Sequence, residues 1–250
     1  MNADGSQITR LDCCVGGWDP AWSPDGSKIA YNIGGNYAPD DEDIWVMNSD
    51  GSNQTNLTNY FSQDSLADWS PNGDKIVFRS NRSNNSEIYV MNSDGSSVTR
   101  LTNNTGIDSD PAWSPDGSKI SFWRDIGGSS QDWEIFVMNV DGTGETNLTN
   151  QPGLDSKPAW SPDGVKIAFA STRSGHWDIW TMNADGSNPL NLTNDGSQEE
   201  YPAWSSDGSK IAFQSDRDGE VDVHVMDLDG SNRTNLTSSF SGFAGHPDWK

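Results

Sequence analysis

Basic residues are scarce in this chain of 250 residues, which has 15 Lys and Arg against 37 Asp and Glu and a formal net charge of −22 at pH 7. Nucleic-acid binders need a basic surface that neutralises phosphates, so we expect no nucleic-acid partner. Cysteine is scarce as well. Cys13 and Cys14 are adjacent, which fits neither a disulfide framework nor the ligand spacing of a zinc site, and we interpret them as incidental thiols.

Long apolar segments are also lacking. No run approaches the roughly 18 apolar residues that a transmembrane helix needs, so we expect no membrane insertion. The first residues, MNADG, do not resemble a signal peptide. Although hydrophobic residues make up only 32% of the chain, its 12 Trp supply the large apolar surfaces that a disordered acidic chain lacks. The composition therefore predicts one folded domain over residues 1–250, which we expect to be monomeric.

A repeat runs along the whole chain. Residues 20–31, PAWSPDGSKIAY, return around four later Trp residues, and the beginning of the motif returns once more at residues 247–249. A second block, DIWVMNSDGS at residues 43–52, recurs in each unit and is followed by a segment like TNLT at residues 55–58. Each unit thus contains four short strand candidates, bounded by turn signals, which we label a, b, c and d. The motif is marked by Trp22, Trp69, Trp113, Trp160, Trp204 and Trp249.

The turn residues predict how the four strands connect. Ser23-Pro24-Asp25-Gly26 places Pro and Gly where a type I turn between a and b needs them. Asp50-Gly51 is a tight hairpin signal between c and d. A four-stranded antiparallel unit of this length is the size of a β-propeller blade, whose neighbours bury the Trp and Ile faces. A solenoid is the alternative, but solenoid repeats are mostly helical or shorter.

The repeat resembles that of the TolB-type β-propellers, a WD40-like repeat also found in propellers that precede prolyl-oligopeptidase domains. The matching residues are PAWSPDGSKIAY at 20–31, DIW at 43–45 and MNADGSN at 182–188. The resemblance covers nearly the whole chain and implies an all-β propeller in a periplasmic or extracellular location. It indicates function only weakly, because propellers carry many unrelated activities.

The two termini hold parts of a sixth repeat. Residues 8–11 match a d strand and the segment ending at Trp249 matches an a strand, around five complete repeats. Because TolB-type propellers commonly have six blades, we expect a six-bladed-like ring closed by pairing of these terminal strands. A five-bladed ring with two spare strands is the alternative. The start within a repeat also suggests a scaffold fragment of a longer secreted protein.

The d-to-a and b-to-c connections form the face where propellers usually bind ligands, and many of the acids fall there. The residue before the strand-a proline, or before Ala67 in the second repeat, differs in every repeat, which suggests a channel lining that is free to vary or adapted to a ligand. We take most of these residues as candidate ligand contacts. The candidates are Asp19, Asp110, Lys157, Tyr201 and His246. The sixth residue at this position, Leu66, is not a candidate.

Four carboxylates, each five residues before a strand-a Trp, suggest a cation site. Ca²⁺ takes about six to eight oxygen ligands, and these loops offer carboxylates, hydroxyls and carbonyls. The alternative is a solvated, charged rim. The candidate ligands are Asp64, Asp108, Asp155 and Glu199.

Three arginines on this face each precede a strand-c acid by five residues, which predicts repeated ion pairs of little energetic value. The expected pairs are Arg82 with Glu87, Arg173 with Asp178, and Arg217 with Asp222.

Several aromatic residues lie outside the repeat pattern. Trp18, Trp123, Trp133 and Trp177 are not scaffold positions, and His176 precedes Trp177. Of these we expect Trp18, Trp133, His176 and Trp177 to contact a ligand, as stacking platforms for sugars or anchors for a protein. Capping of their own hairpins is the alternative.

No Ser-His-Asp motif or nucleophile elbow is present in the sequence. His224 replaces an aromatic residue of strand c and is expected to pack, whereas His246 and Tyr201 form the one plausible acid/base pair. The sequon-like Asn-Leu-Thr recurs in strand d, for example at Asn56, and predicts a structural role. The leading hypothesis is a noncatalytic propeller that binds a protein or glycan. The alternatives are a polysaccharide lyase or hydrolase, and an accessory propeller of a prolyl-oligopeptidase-type enzyme.

Overall fold

The computed structural model describes residues 17–34, 42–127, 132–238 and 245–249. These residues form five antiparallel sheets of four strands, and within each sheet the strands pair in chain order. Blade 1 contains β1 (Gly17–Trp22), β2 (Lys28–Gly34), β3 (Glu42–Asn48) and β4 (Thr55–Asn56). Blade 2 contains β5 (Asp64–Trp69), β6 (Lys75–Ser80), β7 (Glu87–Asn92) and β8 (Thr99–Arg100). Blade 3 contains β9 (Asp108–Trp113), β10 (Lys119–Asp125), β11 (Trp133–Asn139) and β12 (Thr146–Asn147). Blade 4 contains β13 (Asp155–Trp160), β14 (Lys166–Ser171), β15 (Asp178–Asn183) and β16 (Leu190–Asn191). Blade 5 contains β17 (Glu199–Trp204), β18 (Lys210–Ser215), β19 (Asp222–Asp227) and β20 (Thr234–Asn235).

The predicted all-β propeller of four-stranded blades is confirmed, and its turns form for the predicted reasons. Between β1 and β2, the amide of Gly26 donates to the carbonyl of Ser23 at 2.9 Å. The Asp25 carboxylate accepts hydrogen bonds from the Ser23 hydroxyl at 2.7 Å and the Ser27 amide at 3.0 Å. These bonds, of which the one from Ser23 has the largest effect, lower the pKa of Asp25 to about 2, so this aspartate is a turn residue that stays ionised.

No helix long and apolar enough to cross a membrane occurs among the described residues.

The hydrophobic core lies between neighbouring blades. Ala168 and Ile179 of blade 4, for example, pack against Trp204, Ile211 and Phe213 of blade 5, and equivalent clusters join blades 1 to 4. Burying one such large side chain stabilises the fold by about 1.5–3 kcal/mol. Each blade therefore depends on the next one for its stability, as is typical of repeat folds.

Strand d is fastened to strand c by a buried or partly buried carboxylate. Asn191 Nδ2 and Thr193 Oγ1 donate to the two oxygens of Asp178 at 2.8 and 3.1 Å, and Asn56 and Thr58 do the same to Asp43 at 2.8 and 3.0 Å. The structural role predicted for the Asn-Leu-Thr motif is thus confirmed. These bonds use both oxygens of the strand-c carboxylate.

The described residues contain five sheets, as in the five-bladed alternative, so the expected sixth sheet is not found among them. Residues 245–249 form no strand, yet they continue the ring of inner strands. Asp248 Oδ2 accepts a hydrogen bond from the amide of Trp22 at 2.7 Å, just as Asp68 Oδ2 does from Trp113 at 2.7 Å. This segment bridges blade 5 and blade 1. The predicted d strand at residues 8–11, with Cys13 and Cys14, lies outside the described residues.

Candidate functional site

Each inner strand carries a β-bulge at the residue before its proline, or before Ala67 in blade 2. The pairing of β1 with β2 shifts register between Trp18 and Ala21, and the other four inner strands shift at the same place. A bulge redirects one side chain and bends the strand. The five bulge residues, and His246 at the equivalent place in residues 245–249, have φ between 49° and 58°, a conformation uncommon outside glycine. They are Asp19, Leu66, Asp110, Lys157, Tyr201 and His246.

These six residues line one cavity of about 500 Å³, together with the Pro-Ala or equivalent residues that follow them. The structure therefore brings together the candidate contacts Asp19, Asp110, Lys157, Tyr201 and His246 at the channel. It also places there two carboxylates that the sequence argument did not single out, which belong to Asp68 and Asp248. The sequence could have indicated both aspartates, because the residue before the strand-a Trp is alanine in the other repeats. The cavity lining is acidic, with one lysine.

Charged groups at the mouth of this cavity pair with one another. His246 Nδ1 forms a hydrogen bond with Asp19, and the Tyr201 ring stacks on the imidazole with centroids 3.6 Å apart. Lys157 Nζ lies 2.5 Å from Glu200 Oε1 and 4.3 Å from the centre of the Tyr201 ring. Burial, followed by the charges of Asp110 and Asp19, raises the pKa of Tyr201, so its phenol stays protonated at neutral pH.

A row of aromatic side chains adjoins two residues that line the cavity, since Trp123 contacts Asp110 and Trp177 contacts Lys157. Trp123 stacks on Trp133 with centroids 4.5 Å apart, and Trp133 lies 6.3 Å from Trp177. Lys157 Nζ continues the row, 5.2 Å from the Trp177 ring, toward Tyr201. We call Trp123, Trp133, Trp177 and Tyr201 the aromatic row. It spans the blade 3 to blade 5 side of the channel.

The remaining aromatic candidates lie apart from this contact network. Trp18 is 56% exposed, and no ring contact joins it to the aromatic row among the described residues. His176 is exposed in the turn before Trp177. The sequence argument did not count Trp123 among the ligand contacts. It is buried, and its indole Nε1 donates to Asp110.

The four predicted calcium ligands are fully buried at the starts of inner strands. Three of them pair with an arginine: Asp64 with Arg82 at 2.6 Å, Asp108 with Arg124 at 2.7 Å, and Asp155 with Arg173 at 2.5 Å. Within the described ranges, no group of three or more His, Cys, Asp or Glu side chains is placed to hold a metal ion. The arrangement of these carboxylates therefore gives no support to the cation site.

The expected pairs of Arg82 and Arg173 with the strand-c acids are wrong. Both arginines bind instead the first residue of the inner strand, because the strand-c carboxylate is already bound from strand d, Asp178 by Asn191 and Thr193 and Glu87 by Arg100 and Thr102. Arg217 does not pair as predicted either. Its Nη1 is 3.7 Å from Asp195 Oδ2.

Glu199 is the one predicted ligand without an arginine. The Ser215 hydroxyl donates to Glu199 Oε1 at 3.3 Å, and burial, together with the charge of Asp195 and a hydrogen bond shared with that carboxyl, raises the pKa of Glu199 to about 7. His224 packs in β19 as predicted, 2% exposed and 5.8 Å from the Phe213 ring. Burial lowers the pKa of His224, so it is neutral at pH 7.

Comparisons with known proteins match this geometry. The model of the TolB beta-propeller domain family matches residues 18–142 and 132–247. A putative TolB from Agrobacterium tumefaciens is 28% identical, with a TM-score of 0.75 over 87% of this chain and 79% of that one. TolB from Acinetobacter baumannii is 26% identical, with a TM-score of 0.81 over 93% of this chain and 57% of that one. An oligogalacturonate lyase from Vibrio parahaemolyticus, 12% identical with a TM-score of 0.66 over 91% of this chain and 67% of that one, shares the fold alone. No curated protein sequence matches. With a family model that spans nearly all of the described residues, the chain belongs to the TolB β-propeller family.

Proposed function

We propose that this chain is a noncatalytic binding propeller that holds a protein ligand at the mouth of its channel, in a periplasmic or extracellular compartment. Membership of the TolB family supports a binding or scaffold propeller, and the resemblance implies the compartment. The observation that carries the proposal is the aromatic row, of which Tyr201 lines a cavity of about 500 Å³ and the other three rings follow one another in contact. Tyr and Trp are the residues most enriched at the energetic centres of protein interfaces.

A protein ligand is favoured over a glycan because the polar groups at the mouth are already paired. Lys157 binds Glu200, Asp19 binds His246, and Asp110 binds the Trp123 indole. A sugar needs several precisely placed polar groups to fix its hydroxyls. Aromatic faces surrounded by neutralised charges instead favour the apolar centre of a protein interface.

The enzymatic alternative rests on His246, Tyr201 and Asp19. An Asp on Nδ1 can orient a histidine as a base, but Tyr201 covers one face of the ring. A lyase substrate with carboxylates would also meet the acidic lining of the cavity. Turnover of a polysaccharide that is lost in His246→Ala would favour the enzyme over our proposal.

The proposal is tested by selecting displayed random peptides on the wild-type propeller and measuring the Kd of the selected peptides, with a glycan array in parallel. Trp133→Ala should weaken peptide binding by about 30-fold, because truncation of a central aromatic costs about 2 kcal/mol or more. The matched control is Val165→Ala, which alters an exposed residue of the a-to-b turn at the opposite end of the strands and should leave Kd unchanged. Binding only to glycans, or peptides insensitive to Trp133→Ala, would refute the proposal.

A further inference from the structure

The connection from β4 to β5 departs from the repeat by carrying an exposed aromatic pair, Tyr60 and Phe61. In the later connections that lead into an inner strand, the residue equivalent to Phe61 is Thr105, Pro152 or Gly196. Phe61 is 80% exposed, more than any other large apolar side chain among the described residues. The blade scaffold therefore does not require an aromatic residue at this position.

The loop that carries Phe61 is bonded to the start of β3 in blade 1. The amide of Tyr60 donates to Asp43 Oδ1 at 3.3 Å. The amide of Glu42 donates to the carbonyl of Ser62 at 3.2 Å. The backbone on both sides of Phe61 is thus fixed, and the ring is presented to solvent from a defined position.

The neighbouring ring has a role inside the blade, whereas Phe61 has none. Tyr60 lies over Arg82, whose Cζ is 4.9 Å from the ring centre and whose guanidinium binds Asp64. In the described part of the chain, no ring contact and no core cluster includes Phe61. Trp18, at the same end of blade 1, is 56% exposed. We call Trp18, Tyr60 and Phe61 the rim patch.

The rim patch lies across the channel mouth from the aromatic row. The blades follow one another in chain order around the ring, and residues 245–249 bridge blade 5 and blade 1, so blades 1 and 2 stand opposite blades 4 and 5. Leu66, the aliphatic bulge residue of blade 2, lines the cavity on this side. A standard protein interface covers about 800 Å² on each partner. One protein ligand is therefore wide enough to contact both the aromatic row and the rim patch.

The charges around the rim patch favour a basic partner. Asp19 follows Trp18, and Glu42 and Asp43 are bonded to the loop that carries the other two rings. Arg79, which acts electrostatically on Glu42, offsets one of these three carboxylates. Complementary charge speeds encounter and disfavours wrong partners. The patch thus fits an apolar side chain with Lys or Arg next to it.

We propose that the rim patch is a second contact surface for the protein ligand, which places on Phe61 an apolar side chain flanked by Lys or Arg. The inference deepens the proposed function and rests on it, because the same ligand must also contact the aromatic row. Single exposed apolar residues are common on protein surfaces, but three exposed rings at the same end of adjoining blades are typical of an interaction site. A second copy of this chain is a poor occupant, since it would bring another net charge of −22 to the interface.

The test selects displayed random peptides on wild type, depletes them on Phe61→Ser and measures the Kd of the recovered peptides. We expect peptides that combine an apolar residue with Lys or Arg. Phe61→Ser should weaken their binding by about tenfold or more, because a buried Phe side chain contributes about one to two orders of magnitude in affinity. Phe61→Trp should restore it. Leu190→Ser, which alters an exposed apolar residue of the outer strand β16, is the matched control and should leave Kd unchanged.

Salt and peptide charge test the basic character of the ligand. The Kd of the Phe61-dependent peptides should rise at least about threefold between about 50 mM and about 300 mM NaCl, because salt screens the attraction of exposed charges. Replacing their Lys or Arg by Glu should abolish binding.

A linked peptide tests whether one ligand covers both surfaces. A Phe61-dependent peptide joined to a Trp133-dependent one by a Gly-Ser linker of about 20 residues, which spans about 25 Å, should bind at least about 100-fold more tightly than either part. Phe61→Ser and Trp133→Ala should each remove this gain.

Three results would overturn the inference. They are a lack of Phe61-dependent peptides, Phe61-dependent binding that is insensitive to salt and peptide charge, and a linked peptide that gains no affinity. Dimerisation of wild type that is lost in Phe61→Ser would assign the rim patch to a second copy and would also overturn it. Trp133-dependent peptides without Phe61-dependent ones would refute the rim patch alone. Basic Phe61-dependent peptides without any Trp133-dependent one would refute the proposed function alone.

Discussion

Replacing Glu199 by Gln should make the propeller more stable at alkaline pH. The side chain is fully buried at the start of β17, where its carboxyl shares a hydrogen bond with that of Asp195. Three equivalent carboxylates have an arginine beside them, whereas Glu199 has the like charge of Asp195 nearby and the weaker help of Arg233. Burial is the largest cause of its raised pKa. Glutamine keeps the shape and cannot ionise.

The magnitude follows from the two pKa values. Glu199 has an ordinary pKa of 4.5 in the unfolded chain and about 7 in the folded one. Because the folded pKa is the higher one, the contribution of Glu199 is fully present below pH 4.5 and is lost as pH rises through 7. At about 1.4 kcal/mol per tenfold change in proton affinity, wild type should lose about 3 kcal/mol of stability relative to Glu199→Gln across this window.

Urea denaturation of wild type and Glu199→Gln at intervals between pH 5 and pH 8.5 measures this difference. Comparing the two proteins cancels the titration of the other acids. Glu220→Gln, which alters an exposed acid in the connection after β18, is the matched control and should follow wild type. Parallel stability curves for wild type and Glu199→Gln would refute the argument, because they would mean that Glu199 ionises at the same pH in both states.

Three further predictions concern the frame of the site. Asp155→Asn should cost about 3 kcal/mol in urea denaturation, since it leaves a mostly buried Arg173 without its counter-ion; a loss below about 1 kcal/mol would contradict this. Gly186→Ala should cost about 1–2 kcal/mol more than Gly219→Ala. Both glycines have positive φ, but a Cβ on Gly186 would lie 2.5 Å from a backbone oxygen, whereas one on Gly219 meets nothing within 4 Å; equal losses would refute this. His246→Ala removes the stack on Tyr201 and the bond to Asp19, so hydrogen exchange in residues 245–249 should become about two- to tenfold faster; unchanged exchange would show that other contacts hold the segment.

The fold could be predicted from the sequence because each blade of a propeller repeats the same short turn and strand motifs. Each Ser-Pro-Asp-Gly or related turn is stabilised by residues within a few positions of one another, as Ser23 and Asp25 show. The role of the Asn-Leu-Thr motif also depends on nearby residues, since its hydrogen-bond partner is the acid that begins the preceding strand. Turns, strands and blade composition therefore follow from short-range chemistry.

Partners across strands could not be assigned in the same way. Arg173 is five residues from Asp178 in sequence, yet it pairs with Asp155, because the antiparallel pairing of β13 and β14 brings that carboxylate nearer and strand d occupies the other. The calcium prediction also depends on contacts between distant segments, and it stays a prediction. Four carboxylates at equivalent repeat positions suggested a shared site, but each is buried in its own blade.

By itself, the sequence determined the repeat, the four strands of each blade, the all-β propeller and the acidic composition. These follow from residue spacing and composition, which do not depend on how distant segments meet. Only the tertiary structure decided that the described residues form five sheets with residues 245–249 bridging the ring, and that Trp123 belongs to the aromatic row. It also decided that Glu199 stands without an arginine. These features depend on contacts between side chains that are distant in sequence. Such contacts form only when the blades pack together.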